Sequence, residues 1–368
     1  LIYYICKQKE DFPMPSSFGQ RLKAARIMAG LSMDALVAKM GHRVSKQAIS
    51  KYENNLMSPD SETLIALSEA LEVKPDYFFS KYEIAVDSIN FRKKAALGKK
   101  AMETLKARIK DTIERYAELE SFFPASLPFT NPLSDYVISS LDDIRKAAME
   151  LRKAWGFGLE EPISYIINCL EEHSIRVLEI NGSDSFDGLS GWVKQSPFII
   201  LNSNAPSDRK RLTALHEFAH LSLKFSDSLS NSEREKLCHS FGGAFLLPRG
   251  VLVKELGLKR TEISFFELDR LKKQYGISMQ AIMYRAKQEE IISEYVYESF
   301  SREISARNWR KQEPNRYPID EHPLRFEQLL HRAISEEMIS ISKAAYLANT
   351  SIEDIRCQEL LKNDTAHP

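Results

Sequence analysis

The segment His216-Glu217-Phe218-Ala219-His220 constrains this chain more than any other. Two histidines four positions apart on a helix project from one face, close enough for their imidazoles to share a metal ion. The glutamate between them is placed to act as a general base toward water. Leu212, Leu215, Ala219 and Leu223 supply helical apolar spacing around the motif, and the run Phe198-Ile199-Ile200-Leu201 ahead of it reads as a strand. The chain must therefore fold with a strand leading toward the helix that carries both imidazoles. Hydrolysis of a peptide bond is the chemistry such a helix supports.

A catalytic zinc takes three protein ligands and keeps one position open, so a further ligand has to come from downstream. A metzincin would need glycine and histidine three and six residues after the second histidine, where this chain has Leu223 and Ser226. Glu235 is better placed. Around it, Cys238, Phe241, Phe245 and the small pair Gly242-Gly243 mark a second helix packed tightly on the first, with Glu235 and His239 on one face. Asp227, Glu233 and His239 stay open as alternatives. The nitrogen-rich ligand set favours zinc over manganese.

From about Asp142 to Arg285 the chain resembles the ImmA/IrrE family of zinc metallopeptidases, whose HExxH helix is followed by a glutamate and a Phe-Ala-Ala-x-Leu-Leu-Met-Pro-like helix end. That element reads Phe241-Gly242-Gly243-Ala244-Phe245-Leu246-Leu247-Pro248 in this chain. The resemblance implies His216, His220 and Glu235 as metal ligands and Glu217 as base. Two departures stand out: Cys238-His239 replaces the family's Ala-Asn pair, and Gly242-Gly243 replaces Ala-Ala. Neither removes a catalytic group. His239 is then a donor behind the ligands, a stabiliser of an oxyanion, or a structural residue.

A second informative region runs from Phe18 to Phe79. An amphipathic helix from Phe18 ends at Gly30, Ser32 caps a second helix reaching Met40, and Ser45 to Asn54 is a third. Ser61 to Leu71 and Pro75 to Phe79 close the unit. This segment resembles the Cro and lambda-repressor type of helix-turn-helix, also called XRE, in which the third helix enters the major groove. Lys46 and Gln47 would read bases, with Ser45, Ser50 and Lys51 nearer the backbone. Met33 stands where that family often has a phosphate-binding glutamine. The alternative for this unit is a protein-interaction module without DNA affinity.

Composition bounds these readings. With 51 basic and 51 acidic side chains in 368 residues, no global field attracts nucleic acid, so DNA affinity has to come from a local face and from dimerisation. Between Phe91 and Lys110 a basic run, Arg92, Lys93, Lys94, Lys99, Lys100, Lys106, Arg108 and Lys110, is opposed by Glu103 alone; it reads as a solvated linker helix or as additional phosphate contacts. Cys6, Cys169, Cys238 and Cys357 show no paired spacing, which fits free thiols in a reducing compartment. No apolar stretch approaches a membrane span, and the expected location is the cytoplasm. Leu1 is not methionine, and Met14 is the expected natural start.

Phe122 to Pro132 carries three prolines and reads as a linker. Helices are expected at Asp142–Trp155 and Pro162–His173, and three strands at Ile175–Ile180, Leu189–Lys194 and Pro197–Asn202. The stretch Gly188 to Val193 is a candidate edge strand for an extended substrate, with an ordinary hairpin strand that places Trp192 in the core as the alternative. Phe266–Tyr275 and Ser278–Gln288 form a further helix pair with a structural role, and Arg316 to Cys357 reads as a helical, amphipathic tail.

The expected fold class is multidomain and mainly α with a small β-sheet. Residues 1–17 form an N-terminal tail, 18–80 an XRE-type helix-turn-helix domain, 81–135 a basic helical linker with a proline-rich segment, 136–300 an ImmA/IrrE-like α+β zincin-like domain, and 301–368 a helical C-terminal region. The expected protein is a DNA-binding regulator with a zinc endopeptidase domain, acting as a homodimer on a double-stranded operator and cleaving a protein such as a repressor or antitoxin. The alternative is a regulator whose zincin-like domain is a sensor or scaffold.

Overall fold

The computed structural model describes residues 17–80, 98–124, 127–183 and 186–357. Cys6, Met14, Arg92, Lys93 and Lys94 lie outside the described residues. The fold is multidomain and mainly helical, with two small sheets. It divides into two compact units, one from residues 17–80, 98–124 and 326–357, the other from residues 127–325.

The first unit opens with α1 (Phe18–Met28), α2 (Met33–Lys39), α3 (Lys46–Glu53) and α4 (Ser61–Leu71), followed by a 3-10 turn, Pro75–Phe79. The starts of α2, α3 and α4 are written locally: Ser32, Ser45 and Asp60 each accept a backbone N–H three residues on. Phe18, Leu22, Leu36, Ile49, Leu67 and Phe78 meet in the core. A bidentate pair, Arg26 to both Glu53 carboxylate oxygens at 2.6 and 2.9 Å, ties α1 to α3.

Helix α5 (Lys99–Glu120) packs on α1 through a stripe of Leu105, Ile109, Ile113, Tyr116 and Leu119. Thr104 Oγ1 and Arg108 Nε donate to the Ile27 and Met28 carbonyls at 3.0 Å each, so Arg108 is a C-terminal cap for α1 rather than a free phosphate contact. Two later helices, α14 (Arg325–Ser335) and α15 (Ile341–Ala348), complete this same core with Leu329, Leu330, Ala333, Ala344, Ala345 and Leu347. Arg115 Nη1 donates to the Leu347 carbonyl at 3.0 Å, anchoring the end of α15.

In the second unit, β1 (Val137–Ile138) pairs in parallel with β5 (Lys224–Phe225). The main sheet has order β2-β4-β3, with β2 (Arg176–Ile180) parallel and β3 (Gly188–Val193) antiparallel to the central β4 (Ser196–Asn202). Central β4 is almost continuously buried, as a strand with neighbours on both edges and helices against it must be. Around the sheets lie α6 (Leu141–Ala154), α7 (Ile166–Glu172), α8 (Ser207–Ser222), α9 (Asn231–Leu246), α10 (Arg249–Leu256), α11 (Phe265–Tyr275), α12 (Met279–Gln288) and α13 (Glu294–Ala306).

Helix α9 packs against both α6 and α8. At Gly242 the two backbones come so close that a Cβ would sit 3.0 Å from Leu212 Cδ1 and 3.2 Å from the Leu212 carbonyl. At Gly243 a Cβ would strike Arg285 Cδ at 2.7 Å. Gly242→Ala should therefore cost about 1 to 3 kcal/mol through overpacking. A denaturant midpoint unchanged by Gly242→Ala would show that α8 and α9 can separate freely.

Two sequence expectations need correction. The Arg316–Cys357 tail is not helical from its start: residues 307–324 form an irregular strap, and the helix begins at Arg325. Pro314, Pro318 and Pro323 explain this, because proline lacks the amide donor and restricts the residue before it. Likewise α7 begins at Ile166 rather than Pro162, because Glu321 on the strap accepts the Ile166 and Ile167 amides at 3.0 Å each. Buried Arg211 pairs with the same carboxylate. Glu313 does the equivalent for α12, accepting the Met279 and Gln280 amides at 2.9 and 3.0 Å while pairing with buried Lys272 at 3.0 Å.

Candidate metal centre and helix-turn-helix face

Helix α8 is held by Ala214, Leu215, Phe218 and Ala219 on its buried face, which leaves His216 and His220 one turn apart on the other. Their Nε2 atoms face each other at 3.1 Å, and Glu235 Oε2 from α9 lies 3.4 Å from His216 Nε2 and 3.3 Å from His220 Nε2. For zinc–ligand bonds of about 2.0 to 2.1 Å, one face of a tetrahedron has edges of about 3.3 to 3.4 Å. The observed triangle fits that face. It also gathers two imidazole nitrogens and a carboxylate around one point, an arrangement that needs a cation or shared protons at its centre. Hydrogen bonds from His216 and His220 hold the Glu235 carboxyl well below the usual carboxylate range.

Among the described residues these three side chains form the cluster able to hold a metal. The other three candidate ligands are used elsewhere or stand apart. Glu233 closes a capping box at the start of α9, accepting the Ser230 amide at 2.8 Å and the Ser230 hydroxyl at 2.6 Å. Asp227 lies in the turn after β5. His239, one turn beyond Glu235, faces His216 and Tyr284 with ring centroids 6.1 and 5.9 Å away. The cleft walls around the His239 ring, with a smaller contribution from His216, lower its pKa although the ring keeps solvent contact.

Glu217 is buried, and its Oε2 accepts the Ser190 hydroxyl at 2.8 Å. Nothing local in the sequence marks this partner, because Ser190 is 27 residues away on β3 and only the sheet brings it to α8. Cys238 Sγ lies 3.3 Å from His220 Nδ1, behind the ligand face. A cleft of about 1400 Å³ opens over the cluster, lined among others by His216, Glu217, Glu235, His239, Tyr284 and the strap from Arg310.

On α3 of the first unit, Lys46, Gln47 and Lys51 are exposed and Ser50 is half-buried. Two of the expected DNA contacts have partners in the free chain. Lys46 Nζ pairs with Asp34 Oδ2 at 2.7 Å, and the Ser45 hydroxyl accepts the Ala48 amide at 3.1 Å as the N-cap, keeping its own proton to donate. Arg43, in the turn just before α3, is exposed, and it was not singled out from sequence. Its signal was a cation immediately ahead of the polar helix.

Cys169, Cys238 and Cys357 form no disulfide among the described residues. Among the described residues no helix is long and apolar enough to cross a membrane.

These two constellations have counterparts in known families. Residues 22–78 match the family model for a helix-turn-helix, and residues 170–287 match that of the IrrE N-terminal-like domain. The chain therefore joins an XRE-type helix-turn-helix domain to a domain of the IrrE/ImmA-like peptidase family. Over 69 residues it is 35% identical to the HTH-type transcriptional regulator ImmR of Bacillus subtilis (strain 168), a match covering 19% of this chain and 53% of that protein. The match thus spans about half the length of that curated relative. A solved Mycobacterium tuberculosis transcriptional regulator aligns over 47% of this chain and 51% of its own with 17% identity and a TM-score of 0.31.

Proposed function

We propose that the chain is a DNA-binding transcriptional regulator whose second unit is a zinc-dependent endopeptidase that cleaves a regulatory protein, such as a repressor or an antitoxin. The observation that carries the enzymatic reading is the triangle of His216, His220 and Glu235 with a buried glutamate, Glu217, on the same helix. Zinc held by those three side chains supplies Lewis acidity and a readily deprotonated water. Glu217 takes the proton of the attacking water. Ser190, donating to Oε2, fixes the carboxylate rotamer and leaves Oε1 for that transfer. His239 and Tyr284 line the same cleft as donors for the oxyanion that develops on the scissile carbonyl. β3 is an edge strand that pairs only with β4 among the described residues, and Trp192 and Val193, its partly exposed end, are where an extended substrate strand would add.

The DNA-binding reading is supported by the capped α2-turn-α3 arrangement and by the similarity to a named transcriptional regulator. Gln47 and Lys46 read base edges, Lys46 exchanging Asp34 for DNA, while Arg43, Ser45, Ser50 and Lys51 contact phosphates. Such a motif most often works as a homodimer on a palindrome with half-sites about one helical turn apart, and that is the arrangement proposed for this chain. Gln47→Ala should relax sequence preference at one position and cost about 1 to 3 kcal/mol of specific binding. Binding by gel shift at several salt concentrations checks this; equal affinity for operator and random DNA, unmoved by Gln47→Ala, would leave an interaction module.

The regulatory output has its own test. With a proteolytic output, a partner repressor is shortened at one site by the wild-type protein, and Glu217→Gln abolishes both the cut and derepression. A Glu217→Gln strain that regulates its target operon as the wild type does would leave the second unit as a sensor or scaffold.

A further inference from the structure

The cleft of the second unit holds cations that hydrolysis does not use. Most of its charged lining is internally balanced. Asp187 pairs with Arg209 at 2.8 Å, Lys210 with Glu179 at 2.6 Å, and Asp208 and Glu313 share Lys272 at 3.1 and 3.0 Å. Glu217 and Glu235 belong to the hydrolytic group. Lys236, Arg310 and Arg316 are exposed, line the cleft and make no ion pair among the described residues, Arg310 donating from Nε to the Ser305 hydroxyl at 2.7 Å; Lys311 adds a further cation to this wall, and Asp320, which accepts the Ser207 hydroxyl at 3.1 Å, is the exposed carboxylate set against them. Arg310 and Arg316 flank Glu313, whose carboxylate is locked to the α12 amides and Lys272, so they stand on an anchored segment rather than a loose tail. Lys236 directly follows Glu235 on α9.

From this charge distribution we propose that the cleft selects a peptide segment rich in aspartate or glutamate, with Lys236, Arg310 and Arg316 as its specificity-determining side chains. The proposal rests on the peptidase reading for the nature of its occupant: the same cleft opens over His216, Glu217 and Glu235, so the chain it takes is the peptide presented to that group. Cations already held by a fixed strap lose little freedom on pairing, and desolvation between cleft walls strengthens them relative to open surface pairs.

The test uses the full-length, zinc-loaded Glu217→Gln protein, which binds without turnover. Fluorescence anisotropy is measured with a labelled peptide of alternating glutamate and alanine, and with its glutamine counterpart. The acidic peptide should bind about tenfold more tightly at low salt, and the difference should shrink as salt rises. Adding Arg310→Glu and Arg316→Glu together should erase the preference, with zinc content and melting temperature unchanged because both side chains are exposed. Lys236→Glu, on a different element, gives the same readout independently. Equal affinity for the two peptides overturns the proposal, as does a preference that survives all three reversals. So does an oligothymidylate that outcompetes the acidic peptide in a way the reversals abolish. If wild-type protein cleaves no peptide while the acidic preference holds, the hydrolytic reading falls and this one stands; if it cleaves both peptides equally well, the reverse is true.

Discussion

Replacing His216 by alanine should strip zinc and hydrolysis together, whereas Glu217→Gln should keep zinc at roughly one ion per chain and lose hydrolysis by about 10²- to 10⁴-fold. The two variants separate because the side chains do different jobs. His216 Nε2 is one corner of the triangle with His220 and Glu235, and its removal leaves a pair of ligands, too few to hold a catalytic ion. Glu217 is not part of that triangle; glutamine preserves its shape and can still accept the Ser190 hydroxyl through its carbonyl oxygen, but it is no longer a base. Metal analysis of protein purified without a histidine tag, beside a peptidase assay, reads both quantities. Zinc at full occupancy in His216→Ala would remove this site from the mechanism. Full occupancy in Glu235→Ala would move the remaining ligand to His239 or Asp227, or to Glu233 at the expense of its cap on α9.

Ending the chain at Arg325 should abolish cooperative folding of the first unit and its DNA binding while leaving the second unit folded and able to bind zinc. The deletion removes α14 and α15, whose Leu329, Leu330, Tyr346 and Leu347 are each at most 5% exposed within the core that also holds Leu22 and Ile49. At about 1.5 to 3 kcal/mol for each large apolar side chain withdrawn from water, the loss rivals the roughly 5 to 15 kcal/mol that holds a whole domain together. The second unit keeps its own core, built around Phe218, Phe241 and Phe245. Calorimetry should therefore show one transition lost and one retained. A truncated chain with both transitions and unchanged operator affinity would show that the helix-turn-helix unit is complete without its C-terminal helices.

What the sequence determined by itself is what short-range chemistry encodes. Ser32, Ser45 and Ser278 mark helix starts because a side-chain oxygen three residues ahead of an amide is a local event. His216 and His220 share a face because the helical period requires it, and Gly242 announces a close crossing because nothing larger fits against Leu212. Short apolar runs such as Phe198-Ile199-Ile200-Leu201 were enough to place β2, β3 and β4 within a residue or so. The two-residue pairing of β1 with β5 is too short to leave a pattern, whereas α13 was missed although its Ser293 cap and the spacing of Val296, Phe300 and Ile304 mark it.

Only the tertiary structure decided which distant groups meet. Ser190 reaches Glu217 through a sheet edge, and Glu321 caps α7 from 155 residues downstream of Ile166. Residues 301–325 pack within the second unit while residues 326–357 complete the first, so the DNA-binding unit draws on both sides of the peptidase-like one. Such pairings depend on buried surface and on charges that must find partners once water is excluded, and neither condition exists until the whole chain has folded.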